Sequence, residues 1–421
     1  MLSADVIASY VLALAQALVP LRVLLAIGLG ALIYSLAPAG ARRTVLILIS
    51  VAIVLVAYQR PPLLLGGVLL VALAVYGAIK LGWPSAVIVA GLVALYAVLH
   101  GLIGLLTFTD LLQWTGLSTP LVLPTIGLTV AFTFLRLVHF AVDFGNRRLQ
   151  SAAPAYQPAL FTYLAWCLFF PTFVHLPLIR YPAWAQQFAH LSCERPFAQV
   201  WADARAGLPR IAQALIKGAL AGVLLVALNP NAVLLRLPHV PPHEFALAAV
   251  LSAVAYYVGF SGYTDLGIGA ARLFGISLPE NFAPLTVFLR IQRMRDFWRN
   301  WNITMTRWMN DYIFQPLGGP LRHPLRNVML TMIGCGLWHS VSLFGVLWGA
   351  GLGALLLIEH LWNRTRIRRN WPDAPAWIRQ PLLLIGLSLI NVSLTPYAYD
   401  PHIGRFLYPI FWLERMIQPG S

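Results

Sequence analysis

Charge is what this sequence has least of. Its 421 residues include 14 acids and 29 Lys or Arg, so 10% of the chain is charged, against about 25% in an ordinary soluble domain. A soluble surface of this size cannot be covered by so few charged side chains. Cysteine is scarce as well. Cys167, Cys193 and Cys335 are far apart and form no CxxC, which removes support for a zinc knot or a dithiol motif. No repeat of fixed period and no low-complexity tail is present. No Lys or Arg precedes Arg22, and Asp5 is acidic, whereas a cleaved signal peptide opens with a positive region. The expectation is insertion through the first helices themselves. The glycines of "GFSGYTDLGIGAARLFG" do not form GxGxxG after a strand, which excludes a dinucleotide fingerprint there.

Apolar surface is what the chain has in abundance. It is 59% hydrophobic, with a mean hydropathy of +0.75. A spanning helix needs roughly 20 mostly apolar residues. Stretches 20–36, 45–58, 63–79, 84–108, 121–140, 159–178, 211–228, 245–260, 328–358 and 382–392 with its flanks qualify, and 328–358 is long enough to break in two. The fold class expected is all-α: a polytopic integral membrane protein with about 9–12 transmembrane or re-entrant helices. The connecting loops are too short to fold alone, so residues 1–421 read as one membrane domain. Within it, 1–150 are N-terminal helices, 157–362 a motif-bearing core, and 363–421 a C-terminal helix and tail.

The net charge is +15. Arginines gather at 42–43, 147–148, 290–307 and 364–369, as the positive-inside rule places them in cytoplasmic loops. No basic run is interleaved with stacking aromatics in a soluble segment, so nucleic acid is not expected as a partner.

Composition changes between residues 280 and 326, in "PENFAPLTVFLRIQRMRDFWRNWNITMTRWMNDYIFQPLGGPLRHPLR". The stretch is too polar to span and too apolar for an ordinary loop. It has no Pro or Gly from Arg290 to Phe314, so one or two helices fit. On a single helix Arg295, Trp298, Arg299 and Asn302 share a face, and Trp301 and Trp308 form an aromatic stripe. An interfacial anchor accounts for the Trp and Arg residues. It accounts poorly for Asn302. Pro316 should stop the helix and Gly318–Gly319 should turn the chain. Upstream, Gly259, Gly262, Gly267 and Gly269 allow close approach between helices. Asp265, amid apolar neighbours, reads either as a paired structural acid or as a functional one.

Of ten histidines, only His339 falls well inside a long apolar run with no charged neighbour. Desolvation disfavours a charged imidazole, so a neutral, proton-accepting ring is expected. That is the state a general base needs. The simpler alternative is a histidine satisfied by a backbone carbonyl, holding helices together. Cys335, one turn earlier, reads as a small apolar residue, or as a nucleophile that burial would leave with little thiolate. A neutral base and an amide can together activate a hydroxyl against an acyl thioester, the amide orienting the acceptor or stabilising the oxyanion. No metal is needed for such chemistry.

"GLWHS" with "LWGAGLG", "FSGYTDLGIG", "LPENF", "DFWRNWNITMTRWMNDYIFQPLGG" and "FFPTFVHLPLIRY" together resemble the membrane-bound O-acyltransferases. The likeness is to the bacterial branch of polysaccharide O-acetylation and teichoic-acid D-alanyl transfer, and it covers roughly 169–353. It implies a helical enzyme around a central tunnel, with His339 as the base and Asn302 as the second polar residue. Bacterial members usually carry His where this chain has Asn302. Ser340 replaces a common glycine, and "HLPLIRY" departs from Gly-Pro-Ile-x-Arg. By the same resemblance Trp298, Arg299, Trp301, Asp265, Tyr263 and Trp338 would contact substrate, and Arg293 and Arg295 would meet donor phosphates. The donor would be a cytosolic acyl-CoA or acyl-carrier-protein thioester, used as co-substrate with no bound cofactor. Membrane lipid, a periplasmic acyltransferase and glycan synthase components would be partners. The site of action would be the bacterial inner membrane, and the acceptor an exopolysaccharide or other cell-surface glycan. A lipid or small-metabolite hydroxyl, and a non-catalytic glycan export subunit, are the competing readings.

Overall fold

A computed structural model describes residues 21–57, 62–105, 122–145, 158–174, 176–228, 241–288, 290–339, 341 and 343–392. His175 and Ser340, both in motifs quoted above, lie outside the described residues, as does the tail beyond 392. All regular structure among the described residues is helical. In chain order the helices are α1 Leu21–Leu36, α2 Arg42–Ala52, α3 Pro62–Lys80, α4 Ser85–Leu105, α5 Val122–Gly145, α6 Leu160–Leu168, α7 Phe170–Val174, α8 Tyr181–His190, α9 Phe197–Leu228 and α10 Pro242–Leu273. Then follow α11 Leu285–Phe288, α12 Met294–Asn300, α13 Ile303–Met309, α14 Pro324–His339, α15 Leu343–Arg368 and α16 Ala376–Val392.

Among the described residues three segments are long and apolar enough to cross a bilayer: Ala39–Val56, Pro62–Lys80 and Gly345–Arg368. At 1.5 Å per residue, α3 is about 28 Å long, close to the hydrocarbon thickness. Helix α1 shows why lipid is the fitting solvent. Its inner face is Val23, Ile27, Gly30 and Tyr34, while Leu21, Leu25, Leu29 and Leu36 on the other side are 60–77% exposed. A helix apolar on both faces has no side to offer water.

The described chain forms two compact units. One comprises 21–214 and 263–280, the other 215–262 and 281–392.

In the first unit the apolar stretch 159–178 is broken into α6 and α7 at Phe169, which is extended. Pro171 has no N–H, so the Cys167 carbonyl loses its helical partner. Arg136, 4% exposed, supplies one. Its Nη2 donates to the carbonyls of Cys167 at 2.6 Å and Trp166 at 2.7 Å, and its Nη1 to Thr172 O at 2.9 Å. Aromatic rings close round this staple, with Phe140 4.2 Å from Tyr163 and His139 stacked 5.2 Å from Trp166.

The two 32-residue helices exceed their hydropathy windows of 211–228 and 245–260. Paired charges explain the excess. Asp203 on α9 takes Arg195 at 2.5 Å and Arg272 at 3.1 Å. Arg210 takes Asp265 at 2.7 Å and Glu280 at 2.6 Å. Close approach is real at Gly269, where an added Cβ would stand 2.8 Å from Gly207 O.

In the second unit the long run 328–358 is two helices, α14 and α15. They pack through glycine. A Cβ on Gly336 would collide with Gly345 O. One on Gly349 would collide with Met332 O and lie 2.7 Å from Ile333 Cα, and one on Gly353 would lie 2.8 Å from Met329 Sδ. Ahead of this hairpin, Gly318 (φ 109°) and Gly319 (φ 55°) turn the chain as expected. The fully buried Asn327 secures the turn, donating to Gly319 O at 3.0 Å and Arg322 O at 2.6 Å.

Gly349→Val should therefore part the hairpin. Overpacking against backbone costs about 1–3 kcal/mol, so the thermal unfolding midpoint in detergent should fall by several degrees. Gly66→Ala, where an added Cβ meets nothing within 4 Å, should be neutral or slightly stabilising. Equal melting of both variants would remove the packing role of Gly349.

Candidate functional site

The unusual middle segment is not one helix. Helix α12 ends at Asn300, Trp301 is extended (φ −114°, ψ 127°), and Asn302 is left-handed (φ 44°, ψ 54°) before α13 begins. Asn tolerates that region better than other residues with a Cβ. The expected common face of Arg295, Trp298, Arg299 and Asn302 is thus broken two residues before Asn302. The three residues on α12 keep helical spacing, and Asn302 leaves it.

Asn281, 0% exposed, holds the break. Its main-chain oxygen accepts from Ile303 N at 2.8 Å. Its Oδ1 accepts from Thr304 N at 2.9 Å and Thr304 Oγ1 at 2.7 Å. Its Nδ2 donates to Asn302 Oδ1 at 3.1 Å. Ala283 N donates to Asn300 O at 3.0 Å, tying the two strands of chain again. Asn302 is 7% exposed.

Trp301 faces inward at the centre of an aromatic cluster. Phe297 stacks on it at 5.4 Å, and Phe282 meets it edge-on at 5.1 Å. Tyr257 stacks on Phe288 at 3.9 Å beside it, and the Tyr257 hydroxyl donates to Ala283 O. Trp298 packs against the same core.

His339 is the last residue of α14, and its side chain is exposed from the protein. Its ring lies edge-on between two indoles, 4.5 Å from Trp338 and 4.9 Å from Trp348. The residue keeps exposed surface beyond these two rings. Trp338 and Cys335 are buried.

The basic residues divide. Arg295 and Arg299 are exposed. Arg293 is paired with Asp373 at 2.9 Å, and Arg379 reaches the same Asp373 oxygen at 2.5 Å and Gln292 Oε1 at 2.7 Å. Glu359 Oε2 accepts from Met294 N at 2.5 Å, satisfying the first amide of α12. Arg290, Arg293, Arg379 and Asp296 line a cavity of about 440 Å³, and a second of about 350 Å³ shares Gln292, Arg293 and Arg379. At Asp373, burial opposes ionisation. The hydrogen bond from Arg293 and the charges of Arg379, Arg366 and Arg293 outweigh it, holding the carboxyl below its usual range.

Asp265 and Tyr263 belong to the other compact unit. There Asp265 is buried and paired with Arg210, the geometry of a structural acid. Sequence reasoning passed over Asn281, Trp348, Asp373 and Arg379. Asn281 and Trp348 lay inside quoted motifs, "LPENF" and "LWGAGLG". No sequence signal ties Asp373 to Arg293, 80 residues away.

Among the described residues the chain is helical, with membrane-length apolar segments, an imidazole beside two indoles and an amide at a braced helix break. The profile of the membrane-bound O-acyltransferase family matches residues 100–392, and the chain belongs to that family. It is 27% identical over 261 residues to the probable alginate O-acetylase of Pseudomonas aeruginosa, covering 61% of this chain and 48% of that protein. It is 34% identical over 142 residues to the peptidoglycan O-acetyltransferase of Helicobacter pylori, covering 32% and 25%. It is 23% identical over 259 residues to the teichoic acid D-alanyltransferase of Bacillus subtilis, covering 58% and 63%. The chain thus spans half or less of the first two relatives and under two thirds of the third.

The Asp373 clasp carries a pH prediction. A carboxyl with a depressed folded pKa stabilises fully above the unfolded value, about 4 for a carboxylate, and loses that contribution as pH falls below it. Asp373→Asn should melt below wild type at pH 7. The gap should narrow progressively under about pH 4, as read by thermal unfolding across a pH series.

Proposed function

We propose that this protein is a bacterial inner-membrane, multi-pass O-acyltransferase that moves an acyl group, acetyl in the simplest case, from a cytosolic thioester to a hydroxyl of a cell-surface glycan. The observation that carries the proposal is family membership across a region that holds both His339 at an open helix end and Asn302 at a braced break.

In this reading the His339 imidazole takes the proton of the acceptor hydroxyl as its oxygen attacks the thioester carbonyl. The tetrahedral intermediate collapses, the C–S bond breaks, and the thiolate recovers the proton from the imidazolium. Ester and free thiol are the products. Trp338 and Trp348 hold the ring from both sides. The amide of Asn302 donates to the acceptor or to the developing oxyanion, a contribution of about 3 kcal/mol for one such donor.

Acyl-CoA and an acyl carrier protein both present phosphate. The arginine-lined cavity suits such a group, with Arg290 and Arg379 joining the expected Arg293. Arg295, Arg299, Trp298 and Trp301 then act as its surroundings and scaffold. A periplasmic acyltransferase and glycan synthase components are the proposed partners, on the strength of relatives named for alginate and peptidoglycan acetylation.

Asn302, where bacterial relatives usually carry His, favours a second reading in which the acceptor is a lipid or small-metabolite hydroxyl. Mass spectrometry of glycans and lipids from a deletion strain separates the two. Lost glycan acetate supports the first reading; a lost lipid ester with glycan acetate intact supports the second.

Purified protein in nanodiscs should release thiol from acetyl-CoA when its acceptor is supplied. His339→Ala should lower that rate by about 100-fold or more, the usual worth of a general base. A wild-type rate from the variant would overturn the role of His339.

A further inference from the structure

An asparagine at the residue preceding a helix ordinarily turns its own side-chain oxygen onto the second or third amide of that helix. Asn302 precedes α13 and makes no such bond. The bond is made for it. Asn281, from 21 residues upstream, gives its main-chain oxygen to the first amide of α13, at Ile303, and its Oδ1 to the second, at Thr304.

This substitution has a chemical corollary. Thr304 N–H can only donate, so the Asn281 atom facing it must be oxygen. The other end of the Asn281 amide is then NH₂, which can only donate, and it meets the side chain of Asn302. Asn302 must therefore present Oδ1 to Asn281 and direct its own NH₂ elsewhere. Among the described residues nothing accepts from that NH₂, and Asn302 Nδ2 is not one of the sealed unpartnered atoms, as Trp298 Nε1 is. The orientation of one amide thus dictates the other, starting from a backbone N–H that cannot change sign.

We propose that Asn281 is a positioning residue that frees Asn302 from helix capping and locks its amide with the NH₂ available to substrate, so that Asn302 serves the transfer reaction as a donor and never as an acceptor. This rests on the reading of Asn302 and His339 as the transfer site. Asp at position 281 is the informative change. It keeps the oxygen that Thr304 needs but turns the second atom from donor to acceptor. Asn302 must then flip to donate to it, presenting oxygen where NH₂ had been.

Turnover of acetyl-CoA in nanodiscs and thermal unfolding are measured for wild type, N302A, N302D, N281D and N281D/N302A. The expected result is that N281D melts within a few degrees of wild type, with kcat down at least tenfold and KM for acetyl-CoA unchanged. The double variant should match N302A within twofold, because Asn281 acts through Asn302. N302D, which still accepts from Asn281 but has no NH₂, should melt normally and lose turnover as N302A does, a result independent of whether N281D folds. Wild-type turnover in N281D or N302D with N302A impaired overturns the positioning role alone. So does a double variant slower than N302A by the full N281D factor. Wild-type turnover in N302A overturns the underlying reading of the site, and this inference with it.

Discussion

In an apolar solvent a helix cannot break unless protein supplies what the next turn would have supplied. That constraint shapes both interruptions described here. At Phe169 the guanidinium of Arg136 takes the Trp166 and Cys167 carbonyls left over by the extended residue and Pro171, and with them Thr172 O of the short α7. At Trp301–Asn302 the amide of Asn281 takes the two leading N–H groups of α13. One break exposes acceptors and is met by a cation with many donors. The other exposes donors and is met by oxygens. Each partner is buried and comes from a distant stretch of chain, so the broken geometry is fixed by tertiary structure rather than by local preference.

Scarcity of charge makes each ionised group consequential. Arg210 joins Asp265 and Glu280, Asp203 joins Arg195 and Arg272, and Asp373 joins Arg293 and Arg379. A buried charge without a partner is prohibitively costly in such surroundings. Paired, these groups let α9 and α10 run far past their apolar windows. Glycine does the corresponding work where no polar group is wanted, letting α14 and α15 approach until backbone meets backbone at Gly336 and Gly349.

Much of this was legible in the sequence. The apolar runs gave the helices, 328–358 did divide, and Gly318–Gly319 did turn the chain. The glycine motif near Gly269 did mark a close approach. What periodicity could not show was the end of α12. No Pro or Gly marks it, and the left-handed turn at Asn302 depends on Asn281. An interfacial stripe was expected of Trp301, but the chain folds it inward, between Phe297 of α12 and Phe282, which lies 19 residues upstream and outside any helix periodicity could show. His339 was expected deep in an apolar run. The chain places it at a helix end, where an imidazole can be both surrounded by apolar rings and open on one side.

The clasp at Asp373 bears on how tightly any anion can settle in the adjoining arginine-lined cavity. Arg293 and Arg379 already share a resident carboxylate, so an arriving phosphate exchanges one ion pair for another instead of filling a vacancy. Net affinity is then a difference between two similar attractions, smaller than either. On the proposed reading that a thioester carrier docks there, the displaced carboxylate would reclaim the guanidinium groups and hasten the carrier's exit.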